Sequence, residues 1–289
     1  MRTPIAAPRR KTFIARDIKP GEEVYLCQVS ENVSCGACCG LYNVADPSRR
    51  GICRLLERRS REFAAVPREI DAVSGFGERE AGRLAKAGRP MAEFHHCPYV
   101  GFIGENKARV GCMLHPMADG NRGVDFRGLS HYGSLTCSIY FCPTHSLISS
   151  DFKDIIRTVI DDWYLFGLIV QETELLRAFY DEIVRRCRQG FPGPDSAFDP
   201  EGRTLWGKLF NLKLKWPFAS SSRIPARYFF NDNLYPRSKV DYSSTDRESS
   251  RYDLIFRELD SVFASEAELL CAERVLDEIF ESIAEHTGT

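Results

Sequence analysis

The chain has 289 residues, 43% of them hydrophobic and 27% charged, which is enough for one or two packed domains. Its 39 basic and 40 acidic residues leave a formal charge of −1, so there is no electrostatic reason to expect nucleic acid or an anionic membrane as partner. The apolar runs, such as 164–170, are too short to cross a bilayer, and the basic stretch 1–11 lacks the apolar segment of a secretory signal. A cytoplasmic, reducing location is therefore expected, where disulfides do not persist.

In chain order, 13–15 and 24–29 are short β-type runs separated by Pro20-Gly21, and they predict a small hairpin. Cys27 sits in the second run and reads as a small buried hydrophobe. Next comes Cys35-Gly36-Ala37-Cys38-Cys39-Gly40, three sulfurs separated by the smallest side chains available. Pro47-Ser48 opens a predicted helix that contains Cys53 and stops near Pro67, and residues 78–87 predict a second helix capped by Gly88. Arg54, Arg58 and Arg61 share one face of the first helix. That face reads as solvated, with charge compensation of nearby thiolates as the sharper alternative. Runs 98–103 and 109–114, on either side of a Gly/Asn turn, predict a hairpin that places Cys97 within about one residue of opposing Cys112. Residues 117–132 are polar and Gly-rich and predict a loop, after which come Cys137 and Cys142.

From about residue 150 the pattern is helical. Phe152, Ile155, Ile156, Val159, Ile160 and Trp163 recur at helical spacing behind Ser150 as N-cap, and Leu175, Leu176, Phe179, Ile183 and Cys187 follow, with Gly167 as the break between the two runs. Residues 191–243 show no clear periodicity. The end is helical again, and Ser265 with Glu268 forms a capping box. The expected architecture is mainly α with a small irregular β-containing, cysteine-rich region (α+β). Residues 1–148 are the metal- or cluster-binding part, and 149–289 are a helical part that packs on it or contacts another protein.

Cys35, Cys38, Cys39, Cys53, Cys97, Cys112, Cys137 and Cys142 are the candidate metal ligands. Thiolates in fours suit tetrahedral zinc or an iron–sulfur cluster, and spacing alone does not divide the eight into sites. Proline directly after Cys97 and Cys142 matches the end of the bacterial ferredoxin run and tilts the choice toward iron–sulfur. Histidines placed two residues after Cys112 and Cys142, at His115 and His145, fit zinc, and His95-His96 immediately precede Cys97. For Cys27 and these histidines, ligation stays open beside a plain packing or hydrogen-bonding role.

The Cys-Gly-Ala-Cys-Cys-Gly stretch and the later spaced cysteines resemble the YkgJ-type cysteine-cluster proteins, described as a zinc- or iron-chelating domain. Cys35, Cys38 and Cys39 match the last three cysteines of the family's Cys-x2-Cys-x2-Cys-Cys pattern, and Asn32 stands where its first cysteine falls. Cys97, Cys112, Cys137 and Cys142 resemble the family's downstream cysteines. The resemblance covers roughly residues 27–145 and implies metal binding. Flagellin lysine N-methylases share a similar cluster, which implies an enzyme acting on protein side chains as an alternative.

Three functional classes stand. The first is a metal- or cluster-binding protein of unassigned reaction. The second is a cluster-dependent enzyme using Asp119, Arg122, Asp125, Arg127 and His131 of the polar loop. The third is a structural zinc module for protein–protein contact. No nucleophile elbow, phosphate loop, dinucleotide fingerprint or His-Glu-x-x-His is present.

Overall fold

Helices form wherever the apolar residues recur at helical spacing, and the chain is mainly helical with one two-stranded sheet. The computed structural model describes residues 24–104, 108–187, 190–221, 223, 226 and 239–288. The run 13–15 and the hairpin turn 105–107 lie outside the described residues. Val24 to Val29 form no named strand, and only an antiparallel bridge joins Gln28 to Ser34.

Helix α1 (Arg49–Ala64) starts at Ser48, whose side chain accepts the Gly51 N–H. Helix α2 (Ile70–Ala87) begins earlier than the polar pattern indicated, because Val73, Phe76 and Gly77 on its first turns are buried. Gly88 caps it with φ of 77°. Strands β1 (Val100–Ile103) and β2 (Arg109–Cys112) pair antiparallel with Val100 opposite Cys112. This corrects the expected register: Cys97 lies three residues before the strand that was to carry it opposite Cys112. Residues 97–100 turn instead, with the Cys97 carbonyl accepting the Val100 N–H at 3.4 Å.

Two short helices follow the polar loop, α3 (Gly133–Ile139) and α4 (Pro143–Leu147), with Cys142 as N-cap of the second. Helix α5 (Ser150–Val159) is capped by Ser149 rather than Ser150. Helix α6 (Trp163–Val170) is capped by Asp162, so the helical run breaks at 160–162 and Gly167 lies inside α6. Gly167 is there because the Tyr42 hydroxyl occupies the place of a side chain, and that hydroxyl donates to the Tyr164 carbonyl at 2.8 Å. Helices α7 (Thr173–Arg186), α8 (Pro200–Lys215), α9 (Asp253–Glu258) and α10 (Glu266–Thr287) complete the bundle. The Ser265 hydroxyl accepts the Glu268 N–H, while the Glu268 carboxylate reaches the Ala264 N–H rather than that of Ser265.

Helix α8 was hidden in the sequence because its buried face carries Lys213 among Trp206, Leu209, Phe210 and Leu212. The ammonium is tolerated because it donates to Glu172 at 2.5 Å, both groups being almost wholly buried.

Apolar packing crosses the boundary near residue 148. Leu26 and Val33 join the helical core around Phe152, Phe179, Trp206 and Phe280. In return, Trp163, Tyr164 and Leu168 of α6 join Leu41, Tyr42, Ile52 and Val110. A third cluster, Phe63, Val73, Phe76, Tyr99, Met113 and Phe126, binds α1 and α2 to the sheet. No helix among the described residues is long and apolar enough to cross a membrane.

Lys213→Met leaves the Glu172 carboxylate buried without its partner, and a loss of about 3–5 kcal/mol is expected. The urea unfolding midpoint of the variant against the parent measures it, and an unchanged midpoint contradicts the pair's structural role.

Candidate metal centre

The cysteine loop folds as a single 3-10 turn, Ala37–Cys39, closed by Gly40 at φ of 71°. A Cβ at Gly40 would meet the His95 carbonyl and lie 3.0 Å from the His96 Cα, so the loop can sit this close to 95–96 only as glycine. Two backbone bonds fix its ends. The Cys35 N–H donates to the Cys27 carbonyl at 2.9 Å, and the Cys97 N–H donates to the Cys39 carbonyl at 2.9 Å. Asn43 then ties the chain beyond the loop to 91–94, donating to Met91 O at 2.8 Å and Phe94 O at 3.1 Å.

These contacts bring together most of the predicted cysteines. Burial and the proximity of Cys38 and Cys142 push the Cys27 thiol up to about 12. Burial and the same two neighbours raise Cys35 well above the usual thiol range. Burial followed by Cys112 and then Cys137 pushes Cys97 up to about 12, and burial with Cys137 pushes Cys112 up to about 11. Cys38 and Cys39 share a hydrogen bond that lowers the first and raises the second. Cys53 stands apart on α1: after burial, the groups that act on it are Arg49, Glu57 and Asp162 rather than other thiols. All the cysteines are unpaired by disulfides.

Backbone N–H groups oppose the effect of burial at several of these sulfurs. The Ala37 N–H donates to the Cys35 sulfur at 3.4 Å, and the N–H groups of Tyr99, of Leu114, and of His145 followed by Thr144 act against burial at Cys97, Cys112 and Cys142. An N–H aimed at sulfur favours the thiolate over the thiol.

Behind the Cys97 segment lies Arg59, fully buried, which no sequence pattern singled out. It donates to Glu80 at 2.9 Å through Nε, and through Nη1 to His96 Nε2 at 2.7 Å and to the carbonyls of Cys97 and Val100 at 3.3 and 3.4 Å. His96 Nδ1 contacts the Gly40 carbonyl at 2.7 Å, so the ring is neutral with its proton on Nδ1, an assignment made from these partners. Arg58 holds Glu80 from the other side with two bonds of 2.6 and 2.8 Å. Of the predicted stripe, Arg58 thus reaches this network, while Arg54 pairs with Asp46 at the surface. The signal for Arg59 was its place among the buried residues of α1, which lies one position off the charged face.

Both ring nitrogens of His96 are engaged, and His115 Nδ1 accepts the Met117 N–H at 3.1 Å. His95 stacks on His131 at 4.3 Å, and burial followed by the charge of His131 lowers it to about 4. His145 stacks on Phe141 at 4.4 Å.

The polar loop is internally satisfied. Asn121 donates to the Met113 and His115 carbonyls at 2.9 and 2.8 Å, and Arg68 bonds Asn121 at 2.8 Å and the Asp119 carbonyl at 3.1 Å. Arg127 and Asp125 form a two-bond pair of 2.7 and 2.9 Å. Asp125 and Arg127 are thus paired with each other, while Asp119 and Arg122 are exposed at the surface of the loop.

As the side chains are placed, no three or more His, Cys, Asp or Glu among the described residues are positioned to hold a metal ion. The grouped donors are thiols, whose chemistry suits zinc or an iron–sulfur cluster. Of the nearby histidines, His96 and His115 are engaged elsewhere, while His95 Nε2 is buried with no hydrogen-bond partner among the described residues. The chain matches no family model, no curated protein and no solved structure.

Two outcomes follow. Gly40→Ala imposes left-handed backbone strain of about 1–3 kcal/mol in addition to the clash with 95–96, and the unfolding midpoint should fall accordingly. Burial opposes ionisation of Glu80, but its hydrogen bonds from Arg58 and Arg59 bring it down to about 2 from 4.5. A carboxyl with a depressed folded-state pKa stabilises fully above the unfolded value and loses that contribution as the pH falls toward the folded one. Stability should therefore decline between about pH 4.5 and 2, and Glu80→Gln should show less of that decline in acid titration followed by circular dichroism.

Proposed function

We propose that this chain is a metal-binding cysteine-cluster protein that holds an iron–sulfur cluster or zinc through cysteine thiolates in a reducing, cytoplasmic setting. The observation that carries this reading is the gathering of Cys27, Cys35, Cys39 and Cys97 by two backbone bonds of 2.9 Å at the ends of one loop, where the Ala37 N–H donates to the Cys35 sulfur at 3.4 Å. A buried structural cysteine needs no such donor, because a neutral thiol is already at ease in apolar surroundings. A sulfur with such a donor, among thiols pinned together by the Cys27–Cys35 and Cys39–Cys97 backbone bonds, is a ligand prepared to carry negative charge.

A bound metal supplies the positive charge that four thiolates need in order to stay ionised in a partly buried site. The protein contributes the N–H donors and the Arg59 and Arg127 guanidiniums, the latter lying close enough to Cys112 and Cys137 to be affected by them. Such outer partners orient the ligands and tune the centre. Proline after Cys97 and Cys142 favours iron–sulfur over zinc.

Metal analysis and absorption spectroscopy of anaerobically purified protein test the reading. Brown protein with thiolate-to-iron absorption supports the cluster, and colourless protein with stoichiometric zinc supports the zinc form. Protein that stays metal-free after anaerobic loading with either metal overturns both.

A further inference from the structure

We propose that residues 12–18 of this chain pack across the exposed apolar face of α3, as a strap over the segment that joins the polar loop to Cys142. The contact is a matter of apolar packing and charge, and it needs no bound metal.

Helix α3 buries none of its residues. One side of it is spent on the polar loop: the Ser134 hydroxyl donates to Asp125 at 3.2 Å, and the Cys137 sulfur lies 3.2 Å from the Ser130 hydroxyl. At about 100° per residue, positions 132, 135 and 139 fall on the opposite side. There Tyr132, Leu135 and Ile139 are 48%, 73% and 62% exposed. Tyr140 and Phe141 follow directly in the chain and are exposed too. With 7 residues, α3 is far below the length of about 12–15 at which a helix begins to hold by itself. Large apolar side chains gathered on one face of so short a helix mark a contact surface.

What covers it follows from where the chain arrives. The described residues begin at Val24, and the ring of Tyr25 lies 5.6 Å from that of Phe141 and 5.4 Å from that of His145. Arg157 of α5 donates to the Tyr25 carbonyl. Residues 1–23 are therefore tethered at the Phe141 end of the α3 surface. The large apolar side chains nearest that tether are Phe13, Ile14 and Ile18. The chain from position 13 to position 25 spans up to ~40 Å when extended, whereas α3 is about 10 Å long, so Phe13 and Ile14 can reach Leu135 and Ile139. A tether this short keeps the segment beside the face at an effective concentration of about millimolar, which a separate partner would have to exceed.

Charge favours the same occupant. Residues 1–19 carry Arg2, Arg9, Arg10, Lys11, Arg16 and Lys19 against Asp17 alone. Asp151 and Asp154 stand within two turns of Arg157 on α5, so carboxylates lie beside the point where this basic segment meets Tyr25. Burial raises the Asp154 carboxyl, with Arg157 acting against it, and a cation from the arriving segment acts in the same direction. Held by hydrogen bonds on one side and by the strap on the other, α3 keeps Cys137 and the approach to Cys142 in one place.

The experiment places a photo-reactive benzoylphenylalanine at position 135 of the full chain, where the side chain is exposed. Irradiation and mass spectrometry should show a cross-link to residues 10–20, and mixing ¹⁵N-labelled with unlabelled chains should place both ends in one chain. A cross-link between chains assigns the face to a second copy and overturns the strap. A folded chain with no cross-link to residues 1–23 overturns it as well. Hydrogen exchange gives the second test. Phe13→Asp/Ile14→Asp should speed amide exchange over 133–139 by about tenfold, the effect of withdrawing a large apolar side chain from a contact, and should leave α8 and α10 as they are. Phe13→Leu/Ile14→Leu should keep the protection of the parent. Equal exchange over 133–139 in the parent and the aspartate variant overturns the contact, and circular dichroism confirms that each variant is folded. None of these readouts depends on whether the thiols hold a metal.

Discussion

The buried guanidinium of Arg59 is the interaction on which the cysteine-rich half depends. One side chain ties α1 to α2 through Glu80, to the segment entering β1 through two carbonyls, and to the cysteine loop through His96 and Gly40. A lone buried cation would cost several kcal/mol, so the network exists only because Glu80 is held ionised by two arginines at once. The arrangement requires His96 to be neutral and Gly40 to lack a side chain. Local choices at three separated places in sequence are thus mutually dependent, which is how a loop with almost no side-chain volume keeps one conformation.

The helical half supports this assembly rather than standing beside it. Leu26 and Val33, which flank the first cysteines, are buried in the helical core, and Gly167 of α6 accepts Tyr42 from just beyond the loop. Packing of this kind transmits small displacements rigidly. The positions of Cys35 and Cys142, both seated on the helical core, are therefore set by α5 and its neighbours as much as by their own loops. This gives the helices a structural part in the proposed centre without assigning them a partner.

Local signals were read well where one residue decided the outcome. Gly88 ends α2, Ser265 starts α10, and the Gly-rich stretch 117–132 is a loop whose one helical piece is the 3-10 turn Arg127–Leu129. Errors arose where a distant contact decided. Gly167 looked like a helix break and is a packing site. Lys213 concealed α8 by placing a charge on the buried face, acceptable only beside Glu172. The hairpin was legible as two β-type runs, yet its register was not, because Cys97 is claimed by a backbone bond to Cys39, outside the hairpin. The arginine stripe drew attention to Arg54, Arg58 and Arg61, while the residue with the central role is Arg59, one position round the helix.

The sequence by itself determined that this is a mainly helical chain with an unusual store of thiols in its first half, since composition, spacing and helical periodicity are properties of the chain alone. It also marked the glycines of the cysteine loop as places where bulk is excluded. Only the tertiary structure decided which sulfurs share a neighbourhood. The bridge from Gln28 to Ser34 carries Cys27 toward Cys38 and Cys142, while α1 carries Cys53 toward Arg49 and Asp162, and neither neighbourhood could be read from spacing. Spacing along a chain bounds how far two sulfurs can be apart. Which of them lie close is settled by backbone bonds and apolar faces contributed from elsewhere in the fold.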